Sequence, residues 1–510
     1  MTNPSCLSQK QLTVLLISIV IVALCGIAYE LIIAAVSSYL LGNSVYQFSI
    51  TIGVFMFSMG IGSYISKFFE NSLVRNFIVI EIIISIVGGV CSLLLFISFA
   101  YLTSLYSTIM YLMIFIIGTL VGLEIPILTR ILSEAEDIKT SLAKVLSLDY
   151  IGALIGSVAF PLLLLPQLGL IRSSFAVGLI NIITAIINVL FFKSKISKAK
   201  IWIFVTFSTL GVLIAMIACG SLLSSFAESL LYYDQIVLKK QTPYQKIIFT
   251  KNPVTGRQRM YIDGHIQFAE RDEYRYHESL VHPVMSLPGK KENILILGGG
   301  DGLAAREILK YKEVKNIHLV DIDAAITDFA ATYPQLVNLN NNSMNNKKLK
   351  IINADAFSYM NQPGIKYDRI IIDMPDPHNE VLNKLYSKEF YTILKRRMSD
   401  DAVLVSQSSS PFFTRRTYWC IEKTMAAVFE DTFSYHTTIP AFGGEWGFHM
   451  ASVNRKIPEM INIELPTKFL TNKVMSSASI FAKDIQKIDM PVNTIHEPKL
   501  YMYYMQDLNS

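Results

Sequence analysis

The sequence predicts two architectures in one chain: an α-helical multi-pass membrane domain, then a Rossmann-like α/β sheet preceded by a small β-domain. Three observations predict this. Residues 1–222 are apolar and almost uncharged over long runs, whereas 235–510 have ordinary soluble composition. From residue 293 short apolar runs alternate with helical patterns, which argues a parallel, doubly wound sheet. Finally, "ILILGGGDG" runs from apolar residues through glycines into a helical pattern, a strand–turn–helix unit of the kind that cradles nucleotides. The expected boundaries are 1–222 for the membrane domain, 230–270 for the β-domain, 271–455 for the Rossmann-like domain and 456–510 for a C-terminal extension.

The whole-chain averages point the same way. Hydrophobic residues make up 52% and charged residues 17%, with mean hydropathy +0.41; soluble domains average about 25% charged. The net charge of +5 comes without a clustered basic stripe, so nucleic acid is not an expected partner. The five cysteines show no CxxC or Cys/His spacing, so neither a metal site nor a disulfide framework is expected.

Runs at 12–34, 46–66, 77–101, 105–128, 146–167, 173–193 and 201–222 give about seven segments near the roughly 20 apolar residues that cross a bilayer. The first run is too long for a signal peptide and no A-x-A-like site follows it, so it reads as an anchor. Lys67 and Arg75 mark one loop, Arg130, Lys139 and Lys144 another, and Lys193, Lys195, Lys198 and Lys200 a third. Positive-inside bias places these loops in the cytoplasm. An odd number of spans would then put the C-terminal domain outside.

Glu30, Glu81, Glu124 and Asp149 fall in or near the spans, where an ionisable group is costly and suggests function. They read either as a path for a cation or proton, or as helix-to-helix hydrogen bonding and interface positions. "GALIG" (Gly152 to Gly156) has the small-xxx-small spacing of close helix packing.

In the soluble half, "QIVLKK", "YQKIIFT" and "RQRMYIDG" read as strands separated by turn signals. "NILILG", "NIHLVDID", "LKIINAD", "YDRIIIDM" and "AVLVSQ" then give the strands of the main sheet. "TFSYHTTIP" and "WGFHMAS" are expected to close it with a late hairpin, and the tail from 455 carries no readable signal.

The glycine loop is not built for phosphate. It has no lysine or hydroxyl after the glycines, Leu303 stands where a dinucleotide loop needs glycine or alanine, and Asp301 would repel a pyrophosphate. A carboxylate there suits a ligand that brings positive charge, such as the sulfonium of S-adenosylmethionine or its decarboxylated relative. Asp321 ends the next strand twenty residues after Asp301, the usual place for a ribose-binding acid. Asp355 ends the third strand, in position for an adenine amino group. Asp373 and Asp376 end the fourth, where open α/β sheets place their chemistry. An amine nucleophile, charged at pH 7, needs a carboxylate to take its proton. Clustered acids make it tolerable for two cations to meet.

At these residues the chain resembles the polyamine aminopropyltransferases (spermidine synthases), over residues 230–453. The motifs are "PYQKI", "YIDGHIQFAERDEYRYHESLVHP", "LGGGDG", "VDID", "DAF", "DMPDP", "YSKEFY" and "SQSSSP". The N-terminal spans make it similar to the membrane-fused branch. The resemblance implies a methyltransferase-type sheet and aminopropyl transfer from decarboxylated S-adenosylmethionine, a co-substrate, to putrescine, giving spermidine and methylthioadenosine with no cofactor or metal. It implies Gln245, Gly298, Gly300, Asp321, Asp355 and Ala356 at the adenosyl donor, and His277, Asp301, Asp376 and Gln407 at the polyamine. Asp373 would accept the proton, with Tyr276 assisting the nucleophile.

The chain departs from the family at Met374 and Pro375, where small hydroxyl residues are usual, and at Glu380, where proline is usual. The loop "IPAFGGEWGF" is one residue short and has Phe442 near the position of the usual tyrosine. The departures line the amine side, so they bear on acceptor identity more than on the donor. The alternatives are an S-adenosylmethionine-dependent transferase with another amine, a methyltransferase, or a polyamine transporter or sensor with a non-catalytic domain. The implied partners are the two substrates, the bilayer of the inner cell membrane and a second copy of the chain. Because both substrates are cytoplasmic metabolites, the catalytic domain is expected on the cytoplasmic side.

Overall fold

A computed structural model describes residues 7–41, 44–232, 234–242 and 244–508. It divides into two compact units, Met1–Gln235 and Ile236–Ser510. Among the described residues the cysteines form no disulfide; Cys6 and Pro243 lie outside those residues.

The first unit is helical: α1 Gln9–Leu41, α2 Ser44–Ile65, α3 Leu73–Tyr101, α4 Tyr106–Leu132, α5 Ile138–Ala159, α6 Leu165–Phe191, α7 Ala199–Ala218 and the short α8 Gly220–Ser229. Six helical stretches of the described residues are long and apolar enough to cross a membrane, against the seven segments expected. The difference lies in Ile138–Phe191, a single stretch by continuity. Pro161 and Pro166 remove backbone donors there, and Gly169, at φ 71° and ψ 178°, leaves the helical region.

Packing shows that the chain reverses at this break. Gly152 lies against Val20 and Ala23, and Gly156 against Leu24 and Ile27, so α5 runs parallel to α1. Cys25 meets Val177, Ser18 meets Asn188 and Gln11 meets Phe191, so α6 runs antiparallel to it. The "GALIG" glycines are structural: a Cβ at Gly152 would stand 2.2 Å from the Val20 carbonyl oxygen.

The basic loops gather at one end. Arg130 donates to the carbonyls of Ser66 and Phe69, and Lys195 pairs with Glu134. Gly220, after α7, abuts Arg172 at the start of α6. The chain therefore leaves this unit at the end away from the basic loops.

The second unit opens with a four-stranded sheet, β1 Gln235–Gln241, β2 Lys246–Lys251, β3 Gln258–Ile262 and β4 His265–Ala269, paired in that order. Asp263 and Gly264, both at positive φ, form the β3–β4 turn. Helix α9 Glu273–Ser286 leads into the main sheet, β5 Asn293–Gly298, β6 Asn316–Asp321, β7 Leu349–Asn353, β8 Tyr367–Asp373, β9 Met398–Gln407, β10 Asp431–Ile439 and β11 Gly444–Ser452. Its order is β10-β11-β9-β8-β5-β6-β7. β5 to β9 are parallel and the β10–β11 hairpin is antiparallel. Ile370, Ile371 and Ile372 of β8 are fully buried, as both-face-covered strands require.

The helices of this sheet are α10 Leu303–Ile308, α11 Ala324–Thr332, α12 Pro334–Leu339, α13 Ala356–Asn361, α14 Glu380–Asn383, α15 Lys388–Arg396 and α16 Arg415–Ala426. The tail, unreadable in sequence, is ordered, with α17 Asn472–Ala478 and α18 Leu500–Leu508. Glu278 on α9 accepts from the backbone N–H groups of Lys468, Phe469 and Leu470, and Arg416 on α16 pairs with Asp507.

Candidate functional site

The site forms where the strand order turns back on itself. From β5 the chain builds outward through β6 and β7, then returns to lay β8 on the other side of β5. The carboxyl ends of strands at such a switch point open into a crevice. Gly298 and Asp373, the last residues of β5 and β8, stand opposite each other there.

The glycines of the loop are dictated by this proximity. Gly298 has φ 81°, and a Cβ on it would come within 2.1 Å of the Asp373 carbonyl oxygen; Gly299 donates to that oxygen. A Cβ on Gly300 would meet Asp321 Oδ2 at 2.6 Å. Asp301 accepts from the Leu303 N–H at 2.9 Å, turning its carboxylate back on the start of α10. Burial pushes its pKa up.

Helix α9 supplies the facing wall. Tyr276 donates from its hydroxyl to Asp373 Oδ1 at 2.6 Å. Glu273, one turn earlier, accepts from both guanidinium nitrogens of Arg306 and lies 3.0 Å from His277 Nδ1. Burial works to raise Glu273, but His277 and Arg306 outweigh it and hold it at about 2. Burial opposes a charged His277; the hydrogen bond to Glu273 and the nearby Asp301 nevertheless raise its pKa. The wall thus turns His277, braced by Glu273, toward the acids of the strand ends.

Burial lifts Asp373 to about 6, with His277 pulling against it and Asp301 adding to it. Three residues on, Asp376 is lifted by burial to about 6. Its Oδ2 accepts from the hydroxyls of Ser409 at 3.2 Å and Tyr504 at 3.3 Å, while its buried Oδ1 has no hydrogen-bond partner. Asp321 is likewise raised to about 6 by burial, and its Oδ1 accepts from the Asp323 N–H. Ionised, these groups make a strongly negative crevice; protonated, they titrate near neutrality.

Other expected residues have further duties. Asp355 caps α13 through the Ser358 N–H and accepts from Lys384 at 3.0 Å, leaving Ala356 as the first residue of that helix. Gln245 donates to Asp323 Oδ2 at 2.9 Å. Gln407 donates to the Met374 carbonyl at 2.6 Å and to the Tyr386 hydroxyl at 2.8 Å. Both its amide hydrogens are therefore spent on holding the 374–376 turn. Phe442 packs edge-on against Tyr276, 5.6 Å between ring centroids.

Sequence reasoning missed Asp323, Tyr386, Ser409 and Tyr504. Asp323 and Ser409 lie inside motifs that were read, "VDID" and "SQSSSP". Tyr504 had no local signal, because its partner is 128 residues away.

The Spermine/spermidine synthase domain matches residues 273–460. A polyamine aminopropyltransferase of Leptospira interrogans is 42% identical over 499 residues, covering 98% of this chain and 99% of the relative. The chain belongs to the polyamine aminopropyltransferases. Other aminopropyltransferases match at similar breadth: that of Oceanobacillus iheyensis is 37% identical over 95% of each chain, and that of Mycobacterium tuberculosis 31% identical over 97% of this chain and 96% of the relative. These matches extend through the helical unit as well as the synthase-like one. A spermidine synthase structure from Thermotoga maritima aligns with 48% of this chain and 84% of its own, at 25% identity and TM-score 0.44. Tyr504 lies beyond the matched synthase domain.

Proposed function

We propose that the chain transfers the aminopropyl group of decarboxylated S-adenosylmethionine to putrescine, giving spermidine and methylthioadenosine. The observation that carries this reading is Asp373: it ends β8 at the switch point, takes a 2.6 Å hydrogen bond from Tyr276, and stands three residues before a carboxylate with one free, buried oxygen.

In this reading the donor lies along the glycine loop, its ribose hydroxyls at Asp321, its adenine beyond Asp355 and Ala356, and Gln245 closing over it. Asp301 and His277 flank the aminopropyl group. One amine of putrescine, still protonated, is held by Asp376 Oδ1. The other gives its proton to Asp373, which Tyr276 keeps oriented. The freed nitrogen lone pair attacks the aminopropyl carbon next to sulfur; the C–N bond forms, the C–S bond breaks, and its electron pair leaves on sulfur as neutral thioether. No acid is needed for the leaving group, which is why acceptor carboxylates suffice. Asp373→Asn is expected to lower kcat by about 10²–10⁴, the usual contribution of a positioned base. Spermidine formation at the unaltered rate in that variant, or methyl transfer from S-adenosylmethionine in place of aminopropyl transfer, would refute the reading.

The helical unit is proposed to span the cell membrane, with the synthase unit on the cytoplasmic side where its substrates are made. The reversal at Gly169 makes the number of crossings odd, so this choice places the basic loops on the outer face, against the usual charge bias. Periplasmic activity of a reporter fused to the C-terminus would reverse the assignment. A homodimer through the synthase unit is proposed from family habit and is checked by light scattering.

A further inference from the structure

The acid-lined crevice draws on both layers that cover the main sheet. Side chains alternate along a strand. On β8, Ile371 packs into the layer that holds α9, with Tyr276 and Leu280. Ile370 and Ile372 pack into the opposite layer, with Tyr386, Ile421 of α16 and Leu500 of α18. Asp373 has the parity of Ile371, which is why Tyr276 reaches its Oδ1 from α9. Asp376, beyond the end of the strand, is reached from the other layer, by the hydroxyl of Tyr504 on α18. The two carboxyls are thus braced from opposite faces of the sheet, each by one tyrosine.

The residues that hold α18 also hold the turn that carries Asp376. Asn493, fully buried, accepts with Oδ1 from the N–H groups of Lys499 and Leu500 at the start of α18. Its Nδ2 donates to the carbonyls of Asn383 and Tyr386. Tyr386 in turn donates from its hydroxyl to the Pro375 carbonyl at 2.9 Å, next to Asp376. At the far end of α18, Asp507 accepts from the backbone N–H and the guanidinium of Arg416. Tyr504 is itself buried. Burial, with Asp376 beside it, raises its pKa well above the ordinary phenol value, so the hydroxyl keeps its proton. A buried ring on a helix pinned at both ends has little room to yield.

This arrangement limits what fits between the carboxyls. The hydroxyls of Tyr504 and Ser409 both occupy Asp376 Oδ2. Oδ1, buried and without a hydrogen-bond partner, is left as the seat for an ammonium. Beyond that seat lies the Tyr504 side chain, which fills the span from Asp376 back to α18.

We propose that Tyr504 determines acceptor length: a diamine spans from Asp373 to Asp376, and the Tyr504 ring is the wall that stops its second ammonium at Oδ1. This rests on the aminopropyl transfer proposed above and adds to it a length limit set by α18, which follows the matched synthase domain. A diamine one methylene longer must displace the ring or leave Oδ1 empty. A pocket discriminates one methylene by about 10–200-fold.

The test is steady-state kinetics of the full chain in lipid nanodiscs, with putrescine and the five-carbon diamine cadaverine as acceptors. Wild type is expected to favour putrescine in kcat/KM by about 10–200-fold. Tyr504→Ala should move the cadaverine-to-putrescine ratio at least tenfold toward cadaverine, with KM for the donor unmoved. Tyr504→Leu, which keeps an apolar side chain in the packed layer and folds more safely, should move it the same way. Tyr504→Phe keeps the ring and loses only the hydrogen bond, so both diamines should weaken alike and the ratio should stay within about threefold of wild type. An unmoved ratio in active Tyr504→Ala or Tyr504→Leu protein overturns the proposal. So does a ratio in Tyr504→Phe shifted tenfold or more toward cadaverine, which would assign selection to the hydrogen bond. Absence of aminopropyl transfer to either diamine in wild type would instead overturn the transfer itself, and the length limit with it.

Discussion

Replacing Asp376 with asparagine separates what the fold wants from what the reaction wants. Burial holds this carboxyl at about 6 in the folded protein, against about 3.9 in an unfolded chain. The folded state therefore keeps its proton more tightly, and the stability this gives is fully present below pH about 4 and lost as pH rises through about 6. The shift of about 2 pKa units corresponds to about 3 kcal/mol at pH 7.5. Asp376→Asn removes that cost, so its melting temperature should exceed wild type by several degrees at pH 7.5, at about 2–4 °C per kcal/mol for a unit of this size. The two proteins should converge at pH 4. Activity should move the other way: losing the charge partner of a buried ammonium is a loss of about 3–5 kcal/mol, or a rise in putrescine KM of about 10²–10⁴-fold, while KM for the donor changes little. Thermal melts from pH 4 to 8 and steady-state kinetics with each substrate varied give both numbers. Equal melting temperatures at pH 7.5, or an unchanged putrescine KM, would refute the reasoning.

Tyr276→Phe removes a hydrogen bond that holds Asp373 down, so the acid limb of the kcat profile should shift to higher pH, read from rates between pH 5.5 and 9. Tyr504→Phe deprives Asp376 of a donor from α18; putrescine KM should rise about 10–100-fold, the worth of one hydrogen bond to a charged group, with donor KM unmoved. Glu273→Gln breaks the buried Arg306–Glu273–His277 chain and leaves Arg306 underpaired, a destabilisation of about 3–5 kcal/mol measurable by urea unfolding of the synthase unit. Because Glu273 is held at about 2, the stability it contributes is present above its unfolded value and lost only as pH falls through about 2, so neutral-pH melts report it in full.

The sequence determined what is local. A strand has period 2 and a helix 3.6, and glycine clusters mark backbone that approaches something closely, so the strands, the loop at Gly298 and the acids at strand ends were all legible from neighbouring residues. The apolar runs of the helical unit were legible for the same reason, as was the close-packing role of Gly152 and Gly156. Strand β4 was hidden because His265 and Gln267 dilute its alternation.

Tertiary structure decided which residues meet. Tyr276 reaches Asp373 across 97 residues and Tyr504 reaches Asp376 across 128; both pairings depend on β8 returning beside β5 and on the tail folding back along α16. Gln407 and Asp323 took bracing positions for the same reason, since the groups they hold come from other strands and loops. Contact energy between distant segments is gained only after the chain has been brought together, so no local pattern records it.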